Sequence, residues 1–226
     1  MVKTDTYAKK TEGGAIPLTI CAGEGSELPS LVVVPSIFGV TDDVVAQMQE
    51  LAERAVIVAL DPFWRVEAGP ISYADPQRAL ARMQQLDLQA CFRDVVTTLR
   101  WTANHPRTHG RVAMLGICFG GPFALLAAAD GLLAGVATWH GSRMQHFLDR
   151  AADMTCPMVH HVGGNDAVVP REALEQIESA FAGRADVQVV VHEGAAHGFT
   201  HRGNQHHDPV AERAAMQDVA ALLEHL

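Results

Sequence analysis

Three short stretches carry residue types that could do covalent chemistry. The first is Gly116-Ile117-Cys118-Phe119-Gly120-Gly121, a Gly-x-Cys-x-Gly turn between an apolar strand (111–115) and an Ala/Leu-rich run (122–129). That strand–turn–helix setting makes a Gly-x-nucleophile-x-Gly match a nucleophile elbow. Glycines on either side let the chain bend sharply and let neighbouring backbone come close. Cys118 would then stand at the carboxyl edge of a sheet, above a helix N-terminus whose N–H groups and dipole favour a thiolate. The second stretch, Gly163-Gly164-Asn165-Asp166, follows a strand ending at Val162, and the third, Gly194-Ala195-Ala196-His197-Gly198-Phe199, follows one ending at His192. Asp166 would hold one ring nitrogen of His197 and leave the other to take the thiol proton. Any one of these signals is weak, but the three in this order, each after a strand end, are much stronger.

Positioning them requires a parallel sheet. The runs at 31–34 and 55–60 are continuously apolar, as expected of strands covered on both faces. Further strands are expected at 16–21, 111–115, 135–139, 158–162 and 187–192. Helices are expected after Thr41, from 86 to 104 with an apolar stripe of Leu88, Phe92, Val95, Val96 and Leu99, from 122 to 129, from Pro170 to Phe181, and from Asp208-Pro209 to about Leu223. Residues 66–85, broken by Gly69, Pro70 and Pro76, give no clear element. Strands alternating with helices predict an α/β fold, a mostly parallel central sheet with helices on both faces. No linker or repeat divides the 226 residues, so one domain over 1–226 is expected.

A net charge of −9 argues against a nucleic-acid surface, and no apolar run is long enough to span a bilayer. The first twenty residues lack a signal-peptide core, and the four cysteines (Cys21, Cys91, Cys118, Cys156) lack disulfide or Cys-x-x-Cys spacing. A reducing cytoplasm is the expected compartment. The histidines at 160–161, 192, 201 and 206–207 include no His-x-x-x-His helical pair, and adjacent strand histidines face opposite ways. No metal or cofactor is expected.

Nucleophile, acid, histidine is the chain order of α/β-hydrolases. The stretches PSIFGVTDDV, LGICFGG, GGNDAVVP and AAHGFTHRG resemble the dienelactone hydrolase family over most of residues 30–225. The resemblance implies a small-molecule substrate, a lactone or activated ester, hydrolysed through a cysteine acyl-enzyme. Cys118 takes the nucleophile's place, Asp166 the acid's and His197 the base's, with the backbone N–H groups of Ile37 and Phe119 as oxyanion hole. Where better-studied members carry a glutamate before Ile-Phe-Gly, this chain has Ser36. Their two arginines for a substrate carboxylate fall near Arg78 and at His201-Arg202. Arg78 and Arg82, at helical spacing within the poorly legible stretch 66–85, read first as solvated surface charges, with a carboxylate contact the lesser reading for either. Phe38, Trp64, Trp139, His140 and Phe199 are further pocket candidates, while core packing is as good a reading for Phe63. Two other classes compete: a non-catalytic relative that kept the fold, and a redox thiol protein, which lacks a resolving cysteine near the elbow. Monomer and homodimer are both open.

Overall fold

Runs with no polar side to offer water bury both faces of the strands they form. The computed structural model describes residues 2–11 and 13–226. In it the chain runs β1 (Lys3–Thr11), β2 (Gly14–Ala22), β3 (Leu28–Val34), α1 (Asp42–Leu51), β4 (Val56–Leu60), α2 (Pro76–Gln84), α3 (Leu88–Ala103), β5 (Thr108–Ile117), α4 (Gly121–Ala129), β6 (Gly135–Trp139), β7 (Met158–Gly163), α5 (Arg171–Ala180), β8 (Val187–His192) and α6 (Pro209–Glu224). One eight-stranded sheet has the order β1-β2-β4-β3-β5-β6-β7-β8. β1 and β2 join antiparallel, and every pairing from β4 to β8 is parallel.

Alternation along β3 divides the core. Val32 and Val34 pack with Val95 and Leu99 of α3 and Phe123 of α4, whereas Leu31 and Val33 pack with Val44 and Met48 of α1 and Val219 of α6. Helices therefore cover both faces, the α/β arrangement expected. Among the described residues no helix is long and apolar enough to cross a membrane.

Four local readings change. β1 is a strand without sequence signal: KTDTYAKKT has no apolar face, and its nine positions pair with β2 as an exposed ribbon, with Tyr7 stacked on Trp101 at 5.1 Å. Residues 66–85 include α2, whose first turn is capped by the Asp75 carboxylate accepting the Arg78 N–H. α3 begins at Leu88 because Asp87 caps it, accepting from Gln89 and Ala90 N–H. Leu88 itself faces solvent, and Cys91, Val95 and Leu99 form the buried stripe. At α1, Thr41 occupies the cap position without making the cap bond; its hydroxyl meets Asp43 and Tyr73 instead.

Candidate active site

Parallel strands end on one edge, and their register decides which loop residues meet there. Val34 of β3 pairs with Gly116 of β5, so Ser36 and Cys118 each stand two residues past that pair, and Ile37 and Phe119 each stand three past it. A Cβ on Gly120 would be driven into the Val34 carbonyl oxygen, and one on Gly116 into the Gly120 backbone. The turn can close only with glycine at both places. Cys118 has φ +51°, a left-handed conformation costly for a residue with a side chain, which the surrounding glycines and α4 impose. The loop after β6 locks the turn from the other side, the Ser142 N–H donating to the Cys118 carbonyl oxygen at 3.0 Å.

The loops after β7 and β8 are laced together. Gly164 N–H donates to His192 O (2.8 Å) and Asn165 N–H to Ala195 O (2.9 Å), and a side chain on Gly163 would be driven into the Ala195 carbonyl. Asp166, buried, spends one oxygen on its own turn: Oδ1 accepts from the N–H groups of Val168 (2.8 Å) and Val169 (2.9 Å). Its other oxygen, Oδ2, accepts from His197 Nδ1 at 2.8 Å. On the far side of the ring, His197 Nε2 lies 3.1 Å from Cys118 Sγ. Cys118, Asp166 and His197, far apart in sequence, thus form one continuous line. Burial disfavours a charged His197, but its hydrogen bonds to Asp166 and Cys118, and the charges of both, outweigh that and raise its pKa to about 10. The arrangement can keep an imidazolium beside the thiol sulfur and relay a proton to and from it.

The other expected residues divide. Ser36 is buried and its hydroxyl accepts the Phe38 N–H at 3.4 Å, and Phe38 packs edge-on to Tyr73. Trp64 is tethered to α3, donating from Nε1 to Asp94 at 2.9 Å. Trp139 is wholly buried in the core beneath α1 and α6, and Phe199 is buried there too, against His192 and His140. Both are core residues, because the side chains at these positions turn into the layer under the sheet edge. Phe63 is likewise fully buried. Arg78 pairs with Glu67, and Arg202 is clasped by Glu50 and Glu212, each at 2.7 Å, with its own N–H on Asp43. His201 is buried against Tyr73 and Asp43, and burial pulls its pKa down to about 4, so it is a neutral wall. His140, fully buried, bonds Thr200 at 2.9 Å and packs edge-on to His197 at 4.8 Å; burial, with His197 beside it, holds its pKa far below the usual range.

Residues without a sequence signal also gather here. The Ser142 hydroxyl lies 3.7 Å from Cys118 Sγ, and Tyr73, Asp43 and Thr200 support the histidines. Arg82, read from sequence as a surface charge, is buried instead. Among the described residues, one group could hold a metal: Cys118, His140 and His197, with ligand atoms within 4.8 Å of one another. An ion there would have to displace the proton between Cys118 and His197.

Similarity to known proteins extends over most of the chain. A carboxymethylenebutenolidase of Pseudomonas sp. strain P51 is 28% identical over 204 residues, covering 88% of this chain and 85% of its own. The fold is shared with a provisionally assigned dienelactone hydrolase of Klebsiella pneumoniae (TM-score 0.88, 21% identity, all of both chains). It is also shared with a dienelactone hydrolase-like promiscuous phosphotriesterase from metagenomic libraries (TM-score 0.80, 23% identity, 100% of this chain and 98% of the other). The family model described as the dienelactone hydrolase family matches residues 18–226. With its elbow cysteine and its α/β-hydrolase sheet, this chain belongs to the dienelactone hydrolase family.

Proposed function

We propose that this hydrolase cleaves small lactones and activated esters through an acyl-enzyme on Cys118. The observation that carries the reading is the line from Cys118 Sγ to His197 Nε2 (3.1 Å) and from Nδ1 to Asp166 (2.8 Å), with Asp166 fixed from behind by its turn. The Cys118 thiolate adds to the carbonyl carbon, and the oxyanion is received by the N–H groups of Ile37 and Phe119. His197 then protonates the departing alkoxide, leaving a thioester. Deacylation reverses the roles: His197 takes a proton from water, hydroxide adds to the thioester, and the thiolate leaves as the acid is released. A thiolate is a far better leaving group than an amide nitrogen, so esters and lactones are turned over and unactivated amides are not.

Relatives named carboxymethylenebutenolidase support a lactone substrate. The cations that could meet a substrate carboxylate, Arg78 and Arg202, are paired with the protein's own glutamates, and His201 is neutral. Uncharged lactones and aryl esters are therefore the substrates to try first. The continuous sheet supports one domain over 1–226, and four buried free cysteines support a reducing cytoplasmic compartment. The test is burst release of nitrophenol from 4-nitrophenyl acetate, with mass spectrometry of the acylated Cys118 peptide. Cys118→Ala should abolish burst and turnover while staying folded. Substantial turnover by that variant would end the cysteine-hydrolase reading.

A further inference from the structure

Among the buried charged side chains that the catalytic steps above leave unused, Arg82 stands closest to the loop after β3. Arg82 of α2 is 1% exposed and, among the described residues, makes no ion pair. Its guanidinium lies over the Phe63 ring, 4.0 Å from the centroid. Nη1–H donates to the carbonyl oxygens of Glu67 (3.0 Å) and Gly69 (2.6 Å), and Nη2–H donates to that of Ile37 (2.7 Å). The charges of Asp61 and Glu67 favour the guanidinium, but without a direct ion pair its burial on three carbonyls and a ring is expensive, so a particular geometry is being held.

That geometry is the loop after β3. Gly39 N–H donates to Ser36 O (3.0 Å), closing residues 36–39 into a turn, and Ile71 N–H donates to Phe38 O (2.9 Å). Gly39 has φ +80°, and a Cβ there would crowd the Gly69 carbonyl and Arg82 itself. Segments 36–39 and 67–71 are thus joined around one guanidinium. The Ile37 carbonyl it grips is separated from the Ile37 N–H only by that residue's own φ and ψ.

We propose that Arg82 is a positioning residue for the oxyanion hole: by fixing the Ile37 carbonyl it fixes the direction of the Ile37 N–H. This rests on the hydrolase reading above. Removing the guanidinium leaves three carbonyls without donors and frees Ile37 to turn. Lysine cannot replace it, because one ammonium lacks the planar fork that reaches three acceptors on two loops.

The test compares steps that use an oxyanion with one that does not. In Arg82→Met, kcat for 4-nitrophenyl acetate should fall by roughly 10–100-fold, somewhat less than the ~10²–10³ for losing a whole donor, with KM little changed. Affinity for an aldehyde inhibitor, whose hemithioacetal with Cys118 places an oxygen in the hole, should weaken by a similar factor. Alkylation of Cys118 by iodoacetamide develops no oxyanion and should stay within about twofold of wild type. Unchanged kcat and aldehyde affinity would overturn the proposal. So would a parallel loss in alkylation, which would make Arg82 a strut for the whole site. If the Met variant does not fold, Arg82→Lys is put through the same three measurements with the same expectations. A wild-type protein without burst acylation would instead overturn the hydrolase reading, while aldehyde binding and alkylation still test Arg82.

Discussion

Asp166→Asn tests the acid and the ring orientation together. In the structure Asp166 Oδ1 accepts two backbone N–H bonds, from Val168 and Val169, and only Oδ2 faces His197. An asparagine amide has one oxygen, and the two N–H donors require it, so its NH₂ must face His197 Nδ1. It would donate there, forcing the ring proton onto Nε2, toward Cys118 Sγ, where the ring can no longer accept the thiol proton. The charge is lost as well. Raising His197 from 6.5 to about 10 corresponds to about 5 kcal/mol. Asp166 and Cys118 together outweigh the burial that opposes the charged ring, so losing the carboxylate lowers the His197 pKa and shrinks the population of the imidazolium. The wrong tautomer multiplies the loss; in serine-protease triads the same change costs about 10⁴ in kcat. We expect the acylation rate at pH 7, measured by stopped flow, to fall by roughly 10³–10⁴. The alkaline limb, set near 10 by His197 in the wild type, should move down toward the ordinary histidine range. The turn bonds survive, so the variant should fold, with its melting temperature at neutral pH lowered by the loss of the Asp166–His197 ion pair. Acylation within tenfold of wild type, with the alkaline limb unmoved, would refute this account of Asp166.

Gly163→Ala should cost about 10²-fold or more in turnover without touching Cys118, Asp166 or His197, because the new Cβ meets the Ala195 carbonyl and pries apart the loops that carry the acid and the base; a folded variant with normal kinetics would contradict it. Acid should unfold the protein early: burial holds His160 near 4, His161 near 3 and His201 near 4. An unfolded chain takes up these protons below about 6.5, whereas the fold refuses them until about 4. Stability should therefore fall as pH drops through that window, by about 1.4 kcal/mol per pH unit per histidine. Urea titrations at pH 6.5 and 4.5 measure the slope, and His160→Asn should flatten it by one histidine's share; an equal slope in both proteins would count against burial as the cause. Ser36→Glu places a carboxylate level with Cys118 in a buried loop, where like charge opposes the thiolate. Iodoacetamide alkylation near neutral pH should slow and its pH profile move upward, and a superimposable profile would show that residue 36 does not tune the thiol.

By itself the sequence determined the parallel part of the sheet and the order of its chemistry. Apolar runs such as Leu31–Val34 have no polar side and must be covered on both faces, which requires helices between parallel strands. Parallel strands then deliver the residues after β5, β7 and β8 to one edge, so chain order alone brings Cys118, Asp166 and His197 near one another. Local glycine chemistry marked the elbow in the same way. What the tertiary structure decided was the fate of side chains whose partners lie far along the chain. Arg202 is taken by Glu50, 152 residues away, and Arg82 is drawn inward by Ile37, 45 residues away. Trp139 turns into the core rather than the pocket, and Ser142 arrives beside Cys118 from a different loop. β1 was invisible because its stability comes from nine backbone pairings with β2 rather than from an apolar face. Periodicity reports burial averaged over an element, and chain order reports which edge a loop reaches. The partner of one long charged side chain is set by the register of separate strands and the packing between loops, which are properties of the assembled fold alone.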